Sequence, residues 1–252
     1  MLKKTTLALT AAGAMTGSCI AVAGTTLDTP LGEFNVSANV TLASEYIFRG
    51  ISQTKGDPAI QGGLDIVHES GLYVGAWVSN TDYETSDATM ERDYYFGYGG
   101  NITEELAFDV GWLKYDYVKD HLDNADLNYS EFYGSLSAYG FKVGINYSDD
   151  VNSDNNVVYS YIGYKRDLPY GIGLSLRFGK YDFKDDTFFK DGATRGEDAY
   201  YDWYVGVSKE FVGLQFGLTY TQTDLKDEEC ENYAGNDTYC DANIVASVSK
   251  VF

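Results

Sequence analysis

Between Phe34 and Phe252 the chain alternates apolar and polar residues in short runs. Phe34, Val36, Ala38, Val40 and Leu42 interleave with Asn35, Ser37, Asn39 and Thr41. Leu214, Phe216, Leu218 and Tyr220 interleave with Gln215, Gly217, Thr219 and Thr221. A period of two places one set on each face of a strand. About twelve strands are predicted in this way, near 34–48, 58–69, 71–82, 92–102, 105–117, 127–138, 140–148, 157–167, 171–182, 199–210, 213–223 and 242–252. The connections alternate as well. Those at Glu69-Ser70-Gly71, Thr103-Glu104-Glu105, Tyr139-Gly140, Leu168-Pro169-Tyr170 and Phe211-Val212 are tight, whereas 49–57, 83–91, 118–126, 149–156, 183–198 and 224–241 are longer and polar. An antiparallel up-and-down transmembrane β-barrel has this arrangement, with short periplasmic turns and long extracellular loops.

One predicted face carries Leu72, Val74, Ala76 and Val78, then Leu106, Phe108, Val110 and Trp112, then Phe141, Val143 and Ile145, then Ile172, Leu174, Leu176 and Phe178. The other carries Gln61, Asp65, Ser79, Asp109, Lys142, Asn146, Ser175, Arg177 and Asp202. In water the apolar face would form the core of a sandwich; in a membrane it faces lipid and the polar face lines the interior. The chain ends favour the membrane. Residues 1–23 have the form of a secretory signal: Lys3 and Lys4, an apolar stretch from Leu7 to Met15, and Ala21-Val22-Ala23 as a cleavage site. That stretch is too short and polar for a spanning helix, and the barrel domain is assigned to 24–252. Phe252 ends a strand with Ile244, Ala246 and Val248 on one parity and resembles a C-terminal assembly signal; Lys250 breaks the parity. Aromatic residues gather near strand ends (Tyr46, Phe48, Tyr94, Tyr117, Tyr129, Tyr147, Tyr159, Tyr181, Tyr201, Trp203 and Tyr220), the position of interfacial girdles.

Composition sharpens this picture. The 27 glycines suit close backbone approach and small inward positions, and the 23 tyrosines suit surfaces with one apolar and one wet side. Net charge is −20, and signal cleavage, which removes two lysines and no acid, makes it −22. Such a charge opposes nucleic-acid binding and favours cations at an acidic mouth. Cys19 lies within the signal, in a lipoprotein-like setting without the usual leucine three residues before it. Cys230 and Cys240 share one acidic connection, where an oxidising compartment allows a disulfide; no histidine is nearby to complete a metal site. Asp150-Val151-Asn152-Ser153-Asp154 begins like a calcium loop, but Asn155 stands where glycine is needed and Tyr161 where the closing glutamate is needed.

The segment Ala43-Ser44-Glu45-Tyr46-Ile47-Phe48-Arg49-Gly50-Ile51-Ser52-Gln53, followed by Pro58-Ala59-Ile60-Gln61-Gly62-Gly63-Leu64-Asp65 and Gly71-Leu72-Tyr73-Val74-Gly75-Ala76-Trp77-Val78-Ser79, resembles the TorF family of proteobacterial porins. The resemblance is sharpest over residues 36–80. It implies an outer-membrane pore and carries over no catalytic residue.

The candidate lumen-lining residues are Glu45, Arg49, Asp65, Asp109, Glu131, Lys142, Lys165, Arg177 and Asp202. Facing opposite charges would set a transverse field that selects polar solutes, or would pair and plug the lumen. Glu45 and Arg49, on one parity near the outer end of the first strand, form either a constriction or an interfacial ion pair. A catalytic reading finds little support: His68 sits beside a short turn, His121 lies in an ordinary polar loop, and Gly97-Tyr98-Gly99-Gly100 lies within a strand with no helix to follow. No cofactor signature is present. The expected partners are outer-membrane lipid and lipopolysaccharide, the barrel-assembly machinery acting on the last strand, and small polar solutes. The function expected is a porin-like channel with mild cation preference. The alternative is a non-conducting surface adhesin or structural barrel, with Phe188, Phe189, Tyr233 and Tyr239 displayed on stapled loops.

Overall fold

A computed structural model describes residues 24–119, 127–151, 155–189 and 196–252. The predicted signal segment 1–23 and His121 lie outside these residues. A short β1 (Thr25–Thr29) precedes β2 (Gly32–Ala43), and a small hairpin follows, β3 (Ile47–Phe48) and β4 (Ile51–Ser52). Next come β5 (Ala59–His68), β6 (Leu72–Asn80), β7 (Met90–Asn101), β8 (Leu106–Val118), β9 (Tyr129–Ala138) and β10 (Phe141–Val151). The chain continues through β11 (Asn155–Leu168), β12 (Ile172–Asp182), β13 (Ala199–Phe211), β14 (Leu214–Thr223), helix α1 (Asp227–Ala234) and β15 (Asn243–Val251).

Each strand from β5 to β15 pairs antiparallel with the next, and β2 pairs with both β5 and β15, so twelve strands close into a barrel. Closure removes the exposed edges that an open sheet of this length would present. At the seam β15 covers Asn39–Ala43 of β2, Phe252 exchanges two backbone hydrogen bonds with Ala38 (2.8 and 3.2 Å), and β1 occupies the rest of that edge.

The twelve predicted strands all exist, with shifted ends. The first stops at Ala43 rather than 48, because 44–58 leaves the wall. The expected polar loop at 149–156 is largely strand, with a register shift between Ser148 and Val151; residues 152–154 lie outside the described set. The stretch 224–241, expected as loop, contains α1. Acidic residues in its first turn complement the helix N-terminus, and Gly235 (φ 85°) closes its C-terminus in the left-handed region.

Register sorts the faces. Leu72, Val74, Phe96, Val110, Phe132, Phe141, Val143, Ile145 and Phe178 are exposed on the outer surface. An apolar belt of this extent on a closed barrel is a lipid-facing surface. The opposite parity points inward. Tyr73 on β6 contacts Tyr133 on β9, and Arg49 reaches Glu131, contacts available only across the interior.

Candidate functional site

The interior differs along its length. Toward the short turns, inward glycines alternate with tyrosines. A Cβ on Gly75, Gly97, Gly111 or Gly144 would overlap the ring of Tyr95, Tyr73, Tyr133 or Tyr161 respectively, so glycine is what lets each ring lie against the wall. The ring hydroxyls then reach the carboxylates: Tyr95 donates to Asp65 (2.5 Å) and Tyr73 to Asp109 (2.6 Å). Lys142 on β10 is half-buried within electrostatic reach of Asp109. Lys165 on β11 lies nearer the short-turn end, on the inward parity.

Toward the long loops the interior is filled. After Ala43 the chain turns inward and forms the β3–β4 hairpin, whose two-residue turn, Arg49 (φ 47°) and Gly50 (φ 85°), has the positive φ pair of a type I′ turn. Gly50 meets Thr223 and Asp202 on the wall. Arg49 points nearly across the barrel, and its Nη2 donates to both oxygens of Glu131 on β9 (2.7 and 2.8 Å). Tyr115 and Asn146 donate to the same carboxylate (3.1 and 2.9 Å). The guanidinium stacks among Phe48, Tyr159 and Tyr181, 4.3–4.6 Å from each ring centroid, and Tyr200 donates to the Arg49 carbonyl (3.0 Å). Arg49 is 3% and Glu131 1% exposed. A charge pair so far from water persists only when geometry and extra hydrogen bonds replace hydration, and here they do so for Nη2 and for both Glu131 oxygens.

A second pair sits beside the first. Arg177 donates to Asp202 (3.0 Å), Tyr159 donates to the other oxygen of that carboxylate (2.8 Å), and Tyr204 lies 4.9 Å from the guanidinium. Glu45 bonds Asn243 rather than Arg49, so the constriction or ion pair expected of Glu45 and Arg49 does not form; the strand that would have aligned them ends at Ala43.

Above the hairpin, Phe183 and Phe188 pack against each other, and both pack on Tyr233 of α1. The Cys230–Cys240 disulfide is formed and buried. Its loop grips the hairpin: Ser52 N–H donates to the Tyr239 carbonyl (2.9 Å), and Thr223 donates to the Cys240 carbonyl (2.9 Å). Phe188 and Tyr233 therefore cap the mouth instead of standing exposed as an epitope. The aromatic girdle is corrected likewise. Tyr94, Tyr147, Tyr201, Trp203 and Tyr220 take the outward parity, while Tyr46, Tyr117, Tyr129, Tyr159 and Tyr181 pack inside.

Two functional candidates went unread in the sequence. Glu91 and Asp93, alternate residues of β7, are buried at the mouth (1% and 2% exposed), with Tyr46 donating to Glu91 (3.2 Å). Glu91 had fallen in the predicted loop 83–91. A strand begun two residues earlier would have put both acids on the inward parity. Outside the barrel interior, Lys55 bonds Asp82 (2.9 Å), which holds its ammonium pKa above the ordinary 10.5. His68 is tied to Ser70 and the Leu31 carbonyl at the short-turn end.

The family model described as a bacterial protein of unknown function (Gcw_chp) matches residues 28–252. No curated protein matches the chain. Among solved structures the fold is similar to the KdgM porin (TM-score 0.51, 8% identity, 86% of this chain and 99% of that one). It is similar to the NanC porin too (TM-score 0.52, 10% identity, 86% and 98%). A KdgM porin in complex with disordered oligogalacturonate gives a TM-score of 0.51 at 8% identity, covering 86% and 98%. At these identities the likeness establishes the fold.

Proposed function

This chain belongs to the Gcw_chp family of bacterial proteins of unknown function, and from that premise we propose that it is an outer-membrane porin-like channel for passive diffusion of small hydrophilic solutes or ions. The observation that carries the proposal is the closed barrel with an apolar outer belt and a charged, hydroxyl-rich inner wall. Most of the wall charges are segregated: Asp65, Glu91, Asp93, Asp109 and Glu131 lie on β5–β9, and Lys142, Lys165 and Arg177 on β10–β12, with Asp202 on β13 paired to Arg177. Facing arcs of opposite sign orient polar solutes as they pass. Twelve strands give a bore between that of filled barrels of about eight strands and that of general porins of about sixteen.

Mild cation preference follows from the net charge of −20 and from Glu91 and Asp93, which no arginine or lysine bonds among the described residues. Oligogalacturonate, found with one KdgM porin, carries a carboxylate on each sugar, and the acidic arc here opposes such a chain. Neutral and cationic solutes are the better fit. In this proposal residues 1–23 direct export and the final strand with Phe252 engages the assembly machinery. The short turns then face the periplasm, and lipid and lipopolysaccharide surround the belt. The implied TorF relationship fits the same role.

The test is conductance of the folded barrel in planar bilayers. Channels whose reversal potential in a salt gradient shows cation selectivity are expected; anion selectivity would sink the preference. Liposome swelling with sugars, nucleosides and amino acids narrows the solute. The packed mouth favours a second reading, a non-conducting surface barrel. A folded protein that stays silent even with the hairpin removed supports it.

A further inference from the structure

We propose that residues 44–58 are a gate, held shut by the Arg49–Glu131 pair, which swings out of the mouth together with the Phe188–Tyr233 cap above it to open the channel; this rests on the channel reading above. The segment stands off the wall and is seated by bonds that opening releases: Asp82 N–H donates to the Gln53 carbonyl (2.9 Å), Tyr83 to the Gln53 side chain (2.7 Å), Tyr46 to Glu91 (3.2 Å) and Ser52 N–H to the Tyr239 carbonyl (2.9 Å). It joins the wall at Ser44 and Pro58, and its internal bonds (Tyr46 N–H to Thr54, 3.1 Å; Gln53 N–H to the Tyr46 carbonyl, 2.8 Å; Thr54 to the Asp57 carbonyl, 2.7 Å) let it move as a unit. Gly56 (φ 82°) has open space where a Cβ would stand, at the exposed end where a hinge is needed.

The tip, in contrast, is held from several walls at once. Glu131 on β9, the Tyr159 and Tyr181 rings on β11 and β12, and Tyr200 on β13 all engage Arg49. These contacts are lost together when the tip withdraws, which makes the two positions discrete rather than a continuum.

The closed position also carries an opposing cost. Arg49 Nη1, Glu91 Oε2 and Asp93 Oδ1 are buried without a hydrogen-bond partner among the described residues. Opening returns all three to water and relieves that cost. The closed state therefore sets strong, specific contacts against stranded polar atoms, and the contacts prevail. Opening also uncovers Glu91, Asp93 and Glu131 together, so the open mouth carries more uncompensated negative charge than the closed one.

Removing one partner of the latch leaves the other charge buried and unpaired only when the gate is shut, so the open state gains. Single-channel recording of the full chain is the test, with folding checked by heat-dependent electrophoretic mobility. Arg49→Glu should raise open probability roughly a hundredfold, the factor expected for breaking a buried pair. The swapped double variant, Arg49→Glu with Glu131→Arg, should lower it again by about tenfold or more, since the pair is restored in reverse. Should Arg49→Glu not fold, Glu131→Gln carries the same expectation. A variant lacking residues 47–52, with Cys230 and Cys240 replaced by serine to free the cap, should conduct without closing. Deletion that opens the channel while the point variants gate like the wild type overturns the latch, as does a swap that restores nothing in a folded barrel. If the deletion is folded and silent, the channel reading itself falls, and the gate with it.

Discussion

Three hairpins in this protein share one turn chemistry and meet different fates. Tyr139-Gly140 joins β9 to β10, Val212-Gly213 joins β13 to β14, and Arg49-Gly50 joins β3 to β4, each with positive φ at both central residues. The first two stand at the short-turn end, with Tyr139 79% and Val212 81% exposed. In the third, Arg49 is 3% exposed at the centre of the barrel. Local backbone geometry specifies that the chain reverses, not where the reversal ends up. Location is decided by side chains far away in sequence, and Glu131 lies 82 residues from Arg49.

Substitutions that strain the turns separate the two situations. A β-branched residue at Gly50 suffers both the left-handed backbone and overlap with Thr223, whereas Gly213 has open space around it. Gly50→Val should therefore weaken seating of the hairpin by about 3 kcal/mol. Gly213→Ala should cost only the backbone penalty of about 1 kcal/mol. Limited proteolysis of residues 44–58, run beside urea unfolding of the barrel, reads the difference: the first variant should be cut faster with the barrel transition unmoved. Equal protease sensitivity in the two variants would remove the distinction.

Next in size is the staple over the internal hairpin. Replacing Cys230 and Cys240 with serine frees a closed loop of ten residues' separation and should loosen the cap by about 2–3 kcal/mol. Faster amide exchange at Ser52, whose N–H bonds the Tyr239 carbonyl, with unchanged exchange in the barrel strands, is the expected signature. Unchanged exchange at Ser52 would show that the cap does not hold the hairpin.

The smallest effect belongs to the outer end of the gate. Lys55 is half-buried but its partners Asp82 and Glu84 are exposed, so Lys55→Ala should change stability by no more than about 0.5 kcal/mol once solvent screening is counted. The sign of its pH dependence is defined. Because Asp82 raises the folded-state pKa above 10.5, the contribution is complete below that pH and is lost as pH climbs through the raised value. A thermal melt that gained stability from neutral pH to pH 11 relative to Lys55→Ala would contradict this.

Much of the barrel could be read from residue order because its information is local. The twelve wall strands and their inward and outward parities follow from period-two alternation, which needs no knowledge of the partner strand. The errors share one cause. The alternation of Ser37 to Leu42 falters at Ala43-Ser44 and resumes at Glu45-Tyr46, so the run reads as one strand although the chain leaves the wall at that break. Glu91 borders a polar stretch and reads as loop. The strand-end tyrosines satisfy an interfacial girdle and a packed interior equally well, and only parity measured from a correct strand boundary separates Tyr94 from Tyr181. The helix α1 was hidden because an acidic run with two cysteines also describes a solvated loop.

Residue order by itself therefore determined the strand count, the two faces and the alternation of short and long connections, and it left Cys230 and Cys240 as natural partners. Tertiary structure alone decided that residues 44–58 turn inward, that Arg49 pairs with Glu131 rather than Glu45, that Glu91 and Asp93 are buried with no cation bonded to them among the described residues, and that Phe188 and Tyr233 cap the mouth. The physical reason is range. A strand's faces are set by neighbours two residues apart, whereas the occupants of a barrel's interior are set by closure, which brings distant strands within reach of one guanidinium.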